Sequence, residues 1–288
     1  MLKVSLIMPV YNAEKTIRCA LESAINQTYE NVEIIVIDGQ STDKTVQVIE
    51  EYRDHIDYFV SEKDKGYADA LNKGIEAATG DYSIILAADD FFLPKGVEIF
   101  VNSINGNPDV WCGNMLVLKE RGIVTKFNRA KRLEDINQTT VMAHPATFFK
   151  IKAFEQYGNY DINYNINSDS ELILRWYKNG AKFQLSDEFI SLFTCGGIST
   201  TDDMEDNVNN LTDISQGEEI AIKYGISKEE ARNRRIKHIK SKRRIEKIKN
   251  ISRKLHILKL LYFIGGQKPL SKKEIQKFGI PLELVNEY

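Results

Sequence analysis

Cysteine is scarce in this chain, and long apolar runs are missing. The three cysteines, Cys19, Cys112 and Cys195, lie far apart and show no metal-ligand spacing. That pattern argues against a cysteine metal site and predicts reduced thiols in a cytosolic protein. No apolar stretch approaches the roughly 20 residues that a transmembrane helix needs, and the longest late candidate, Ile257–Ile264, is too short to span. The sequence opens at Met1-Leu2-Lys3-Val4 directly as a strand, without a signal-peptide pattern. Internal repeats and low-complexity linkers are also lacking. Neither sign of charge dominates, with 39 Lys and Arg against 41 Asp and Glu for a net charge of -2. The balance is uneven along the chain, because bases greatly outnumber acids from Lys228 to Lys259. What is present is 288 residues, 42% of them hydrophobic, enough for one large domain or one domain with an appendage.

Strand and helix patterns alternate from the start. Val4–Met8 reads as a short buried strand stopped by Pro9. Ile17, Ala20, Leu21, Ala24 and Ile25 share one face of a helix expected over 13–27. Val32–Ile37 is a second strand ending in Asp38-Gly39, and Asp43 opens a helix through Tyr52. Tyr58–Val60 is a short strand, Ala68, Leu71, Ile75 and Ala78 mark a helix closed by Gly80, and Tyr82–Ala87 is a fourth strand. Pro94 suits the first turn of the next helix. Such alternation predicts an α/β fold with a mostly parallel sheet and helices on both faces. After residue 110 the pattern changes. Trp111–Leu118 and Ile123–Phe127 read as a hairpin about Glu120-Arg121-Gly122, and Thr147-Phe148-Phe149 as a short strand. Ser168 and Glu171 have the spacing of a capping box for a helix running to Asn179 and stopped at Gly180. Phe189–Phe193 is a last strand, followed by Cys195-Gly196-Gly197-Ile198-Ser199 and helical segments near 203–224 and 228–260.

Ala87-Ala88-Asp89-Asp90 ends the fourth strand. Open α/β sheets bind ligands at such strand ends, and paired acids there suit Mg²⁺ or Mn²⁺ held together with substrate phosphates. Taken alone, the pair also reads as a turn. Three further loops stand at strand ends: Pro9-Val10-Tyr11-Asn12-Ala13, Asp38-Gly39-Gln40-Ser41-Thr42-Asp43, and Ser61-Glu62-Lys63-Asp64-Lys65-Gly66 leading into Asp69–Gly74. Each is weak by itself; their order and spacing, with Ala78-Thr79-Gly80-Asp81, make a joint signal. Over about residues 1–200 this set resembles the family 2 glycosyltransferases of the GT-A fold.

The resemblance implies a GT-A, Rossmann-like catalytic domain over 1–200. Residues 1–110 would be its nucleotide-sugar half and 111–200 its acceptor side, with a helical basic C-terminal extension over 201–288. It implies inverting transfer of a sugar from a nucleotide-diphosphate donor to a glycan or lipid-linked acceptor, in bacterial cell-surface polysaccharide synthesis. Carried over residue by residue, Pro9, Tyr11 and Asn12 match the loop under the nucleotide. Asp38 matches the acid that accepts a hydrogen bond from the base, and Lys65 and Asn72 match the segment lining base and ribose. Asp89 and Asp90 match the metal motif, and Asp89 also faces the donor. Many family members carry a further acid where this chain has Ala87, so which of the pair ligates the metal stays open.

Downstream, His144-Pro145-Ala146-Thr147-Phe148-Phe149, Asp169-Ser170-Glu171-Leu172 and Gly196-Gly197-Ile198-Ser199 resemble a bacterial branch of the family. Transfer to a hydroxyl needs a general base. Asp169 matches that base, although Ser168 replaces the usual preceding Glu, and Glu171 is the runner-up. Both acids also suit a helix N-terminus without catalysis. His144 fits a contact to donor phosphate or acceptor, or a structural role. Gly196-Gly197 fits a close approach to the diphosphate or a plain turn.

The basic stretch, from Arg232 to Lys259 with Ile236, Ile239, Ile245, Ile248, Ile251, Leu255 and Leu258 interleaved, suits an anionic membrane surface. It equally suits packing on the catalytic domain; nucleic acid is the least favoured partner. A cytoplasmic location is expected, on the inner face of the cell membrane if the basic stretch meets that surface. The alternatives are a nucleotidyltransferase and a non-catalytic nucleotide-binding module. The former would want a Gly-rich basic phosphate loop, which Pro9-Val10-Tyr11-Asn12 is not. The intact acids argue against the latter.

Overall fold

The computed structural model describes residues 1–119, 122–127, 142–164, 167–194, 216–233, 236, 240 and 269–286. Its first half alternates strand and helix: β1 (Val4–Val10), α1 (Ile17–Ile25), β2 (Val32–Asp38), α2 (Thr45–Glu50), β3 (Tyr58–Ser61), α3 (Tyr67–Ala77), β4 (Tyr82–Ile85), β5 (Phe91–Phe92) and α4 (Gly96–Ser103). Then follow β6 (Val110–Lys119), β7 (Ile123–Phe127), β8 (Thr147–Lys150), α5 (Ile151–Tyr157), α6 (Ser168–Lys178) and β9 (Phe183–Thr194). A helix over 216–223, here α7, and helical residues 228–233 come next. The described chain closes with α8 (Lys272–Lys277) and α9 (Leu282–Asn286).

The strands form one sheet in the order β3-β2-β1-β4-β8-β6-β9-β5, with β7 on β6. β3, β2, β1 and β4 are mutually parallel. All seven residues of β1 are buried, as expected for a parallel strand covered on both faces. Alternate residues serve opposite layers: Leu6, Met8, Ile34 and Val36 pack with α1 and α4, while Ile7, Ile35 and Ile37 pack with α3 and α6. Gly74 lets α3 lie close on β1, because a Cβ there would collide with Ile7. The chain leaves β1 toward β2 on one side and returns from β3 to β4 on the other. This is the strand-order reversal at which such sheets open a crevice at their C-terminal edge.

Beyond β4 the sheet is mixed. β8 is antiparallel to β4 and β6, whereas β9 runs parallel to β6 with a register shift between Cys112 and Met115. The expected hairpin is β6–β7, antiparallel with Lys119 opposite Ile123. β9 starts at Phe183, earlier than the apolar run Phe189–Phe193 suggested. α1 is shorter than expected because residues 12–14 are held by the loop after β2. The capping box proposed at Ser168 is not formed. Asn167 is the N-cap, Ser168 is the first helical residue, and Glu171 is buried and taken by other donors. A complete capping box occurs instead at Ser271 and Glu274 of α8, which the sequence reading did not foresee.

Both described parts of the C-terminal stretch pack on the preceding chain. Ile220 joins the cluster of α6 and α5, and Ile275, Ile280 and Val285 join Phe91, Leu116, Val124 and Leu192. Most of the basic stretch beyond Arg232, and Cys195–Ser199 with Gly196-Gly197, lie outside the described residues.

Candidate active site

Three loops at the C-terminal edge are laced together by side chains. Asn12, with φ at 49°, donates its backbone N–H to the Ser41 hydroxyl (2.8 Å) and accepts the Thr42 N–H on its side chain (2.8 Å). The Ala13 N–H reaches the Thr45 hydroxyl at 2.7 Å. Asp38 is fully buried; its carboxylate accepts the Ser41 N–H (3.0 Å), the Ser41 hydroxyl (2.5 Å) and the Ser61 hydroxyl (2.6 Å). Asp38 therefore ties the loops after β2 and β3. Pro9 likewise lies buried within β1.

The groups around Gly39 are different. Tyr11 is 60% exposed. A Cβ on Gly39 would lie 2.5 Å from Asp64 Oδ2 and 3.4 Å from the Tyr11 ring, so only glycine leaves room for both. Asp64 accepts the Gly66 N–H at 2.9 Å, where φ is 114°. The backbone of Lys65 is fixed by Asp69 (3.0 Å) and its side chain is exposed. Lys73 braces the same loop through Glu62 at 2.7 Å. Asp64 has no local signal in the sequence; its place against Gly39 and Tyr11 is set by the fold.

Asp89 and Asp90 follow β4. Asp89 is half-buried, and burial raises its pKa. Asp90 is buried, with Oδ1 accepting the Thr194 N–H at 2.9 Å and Oδ2 without a hydrogen-bond partner. Burial, then the neighbouring Asp89 charge, push its pKa well above the usual carboxylate range. A desolvated, mutually repelling pair with an orphaned oxygen is what a divalent cation relieves. Among the described residues no three His, Cys, Asp or Glu side chains form a metal site. The pair is chemically suited to a hard divalent cation.

Tyr67 stands at the start of α3. Burial raises its phenol pKa strongly, and the charges of Asp169, Asp90 and Asp89, all within electrostatic reach, add to the rise. Residue types at strand ends drew attention to the acids, but nothing in the sequence placed Tyr67 among them. Asp169 is half-buried in the first turn of α6 and accepts the Ser170 N–H at 2.7 Å.

His144, in a short 3-10 turn before β8, is buried and hydrogen-bonded through Nε2 to the Tyr160 hydroxyl at 2.8 Å. Burial lowers its pKa, partly offset by the Asp169 charge, so it stays neutral near pH 7. Asn72 does not open into the cleft with its amide. It donates to the Tyr160 carbonyl (2.9 Å) and accepts the Tyr160 N–H (3.0 Å), joining α3 to the turn after α5.

The strand order, with its reversal between β1 and β4 and paired carboxylates just after β4, is that of an α/β protein of the GT-A fold. Residues 5–168 match the family described as glycosyl transferase family 2, and the chain belongs to it. An uncharacterized glycosyltransferase of Rickettsia typhi is 42% identical over 118 residues, covering 40% of this chain and 37% of that protein. The Escherichia coli UDP-Glc:alpha-D-GlcNAc-diphosphoundecaprenol beta-1,3-glucosyltransferase WfgD is 35% identical over 126 residues, covering 43% of this chain and 50% of that protein. The match therefore spans half or less of the length of these relatives. Among solved structures, S. aureus TarS residues 1–349 with UDP is similar at TM-score 0.60 and 20% identity, covering 80% of this chain and 68% of that one. The Pyrobaculum calidifontis mannosyltransferase PcManGT with GDP-Man and Mn²⁺ gives TM-score 0.54 at 17% identity, covering 75% and 61%.

Proposed function

We propose that this chain is an inverting glycosyltransferase that moves a sugar from a nucleotide-diphosphate donor to a hydroxyl acceptor. The observation that carries the reading is the acid pair after β4, a half-buried Asp89 beside a buried Asp90 with one carboxylate oxygen lacking a hydrogen-bond partner among the described residues; the charges of both, and of Asp169, act on Tyr67. Tyr11 and the Asp64 carboxylate, on either side of Gly39, flank the base; Asp38 and Asn12 hold the loops that present them. Asp89, with Asp90 beneath it, would hold Mg²⁺ or Mn²⁺, which offsets charge on a diphosphate leaving group. Lys65, exposed on the same rim, supplies a positive charge for the nucleotide.

Asp169 takes the proton of the acceptor hydroxyl as that oxygen bonds to the anomeric carbon. The bond from that carbon to the diphosphate oxygen breaks, and the nucleoside diphosphate leaves on the opposite face. One displacement inverts the carbon. His144 and Tyr160, buried and hydrogen-bonded to each other, stand on this side. In this reading residues 1–200 are catalytic and 201–288 an extension that braces them.

WfgD is named for transfer to a diphosphoundecaprenol-linked sugar, which supports a glycan or lipid-linked acceptor in surface polysaccharide synthesis. The basic stretch then suits an anionic membrane surface on the cytoplasmic side. No helix among the described residues is long and apolar enough to cross a membrane. Co-sedimentation with phosphatidylglycerol vesicles tests the surface, and no binding at low salt would remove it. Replacing the base tests the reaction. D169N should lower nucleotide release from a nucleotide sugar on the order of 10²- to 10⁴-fold, the usual weight of a general base, while nucleoside diphosphate still binds. Near-native turnover in D169N would remove Asp169 from this role.

A further inference from the structure

Glu171 lies half a turn beyond Asp169 on α6 and has no exposed surface. A carboxylate without water must be ion-paired and hydrogen-bonded to be tolerated. Both of its oxygens are covered. Arg175 donates Nε to each at 3.2 Å and a terminal nitrogen to Oε2 at 3.1 Å. The other donors come from the end of α7: Lys223 Nζ at 3.0 Å and the Tyr224 hydroxyl at 2.6 Å, both to Oε1. Burial pushes the Glu171 pKa up, but the bonds from Arg175, Tyr224 and Lys223 outweigh it and hold the carboxyl below its usual range.

The bonds continue past Glu171. The Arg175 guanidinium also donates to the carbonyls of Tyr157, Gly158 (3.1 Å) and Asn159 (2.6 Å). The Trp176 indole N–H adds a bond to the Gly158 carbonyl at 3.0 Å. The next residue in the turn is Tyr160, whose hydroxyl meets His144 and whose pKa, like that of His144, responds to the charge on Asp169. Lys223 additionally approaches Asp161 at 4.0 Å and lies over the Tyr164 ring. An unbroken set of contacts thus runs from α7 to the wall of the acceptor side.

We infer that Lys223 and Tyr224 are positioning residues for sugar transfer: by clamping Glu171 they fix the first turn of α6 and, through Arg175, the turn that carries Tyr160. The helix after the catalytic region thereby completes the acceptor side of the cleft. The inference rests on sugar transfer taking place beside the first turn of α6, whichever group there takes the proton. Glu171, the alternative base, is removed from contention by the same bonds, since it is buried and already holds its donors.

The nucleotide loops are tied separately, through Asp38 and Asn12. Loss of the clamp should therefore act on turnover and not on nucleotide binding. The test uses the full chain and, of UDP-, GDP-, dTDP- and CDP-linked hexoses, the donor that wild-type protein turns over fastest with Mn²⁺. K223M and Y224F should each lower kcat between about 10- and 100-fold, the scale of a small misplacement, with the Kd of the matching nucleoside diphosphate within about twofold. K223R should restore most of the rate. K3M is the control for a merely structural ion pair. Lys3 pairs with buried Glu33 at 2.6 Å at the opposite edge of the sheet, so K3M should lower Tm and leave kcat unchanged well below it.

Unchanged kcat in K223M and Y224F would overturn the inference, as would kcat and nucleotide affinity falling together. If K223M does not fold, Y224F, which removes one hydroxyl, decides. D169N in the native background separates the two readings. If it keeps turnover while K223M loses it, the base assignment fails and the clamp stands.

Discussion

Asp90 places one oxygen on the Thr194 N–H and leaves the other without a partner, while Asp89 beside it stays half-buried. This difference separates their substitutions. D90N keeps an acceptor for Thr194 and removes a desolvated charge. Its folded-state pKa is raised, so the charged form opposes folding at neutral pH, and metal-free D90N should melt at or above the wild-type Tm. A clear fall in Tm would contradict that burial argument. Glu33 is the opposite case. Burial raises its pKa, but Lys3, Ser5 and Thr79 outweigh it and bring it down to about 2. A lowered folded pKa gives stability that is present above the ordinary glutamate pKa and lost as pH falls toward about 2. Melting from pH 7 down to pH 3 should show wild type losing roughly 2 kcal/mol, with E33Q flatter across that window. Equal slopes would contradict the assignment. These contrasts also mark what the sequence could convey. It located acids at strand ends, but the donors that fix each carboxylate are far off in the chain. Thr194 lies 104 residues from Asp90, and Tyr160 lies 88 from Asn72. Hence the sequence does not disclose that Asp38 and Asn72 also tie loops together, or that Asp64 lies against Gly39 and Tyr67 within reach of the acids.

Two helices carry the same Ser-x-x-Glu spacing with different outcomes. At α8, Ser271 is exposed; its hydroxyl accepts the Glu274 N–H at 3.3 Å and the Glu274 carboxylate accepts the Ser271 N–H at 2.8 Å. At α6, Ser168 is buried and Glu171 is drawn inward by Arg175, Lys223 and Tyr224. A capping pattern holds where nothing stronger competes for its carboxylate, and that competition is tertiary. S271A should therefore cost about 1 kcal/mol of stability by chemical denaturation, the usual weight of an N-cap. An unchanged midpoint would mean that α8 does not depend on its cap. Gly74 makes the complementary case on α3. G74A would normally help a helix, yet its methyl group would meet Ile7 of β1. Overpacking should outweigh propensity and lower stability by about 1–3 kcal/mol.

Across the whole molecule, the first half was legible because its parallel strands are buried on both faces and read as apolar runs between helical periods. The second half was less so. β9 begins with residues of intermediate exposure, and its pairing with β6 shifts register. The return of residues 269–286 to the catalytic region had no local signal. Ile275, Ile280 and Val285 gain meaning only against Phe91, Leu118 and Leu192, far away in sequence. Ending the chain at residue 268 should uncover that cluster and lower Tm; a truncated protein melting with the full chain would show that this packing adds nothing.

At the scale of the whole molecule, acids distant in sequence, Asp89, Asp90 and Asp169, all act electrostatically on Tyr67, and we propose that they border a site for a nucleoside diphosphate with a divalent cation. Thermal melting with UDP, GDP, dTDP and CDP, each with and without Mn²⁺ or Mg²⁺, tests it most directly, because a ligand of the native state raises Tm. The expected result is a metal-dependent rise with one nucleotide, lost in D89A. No shift with any nucleotide, or the same shift in D89A, would contradict it.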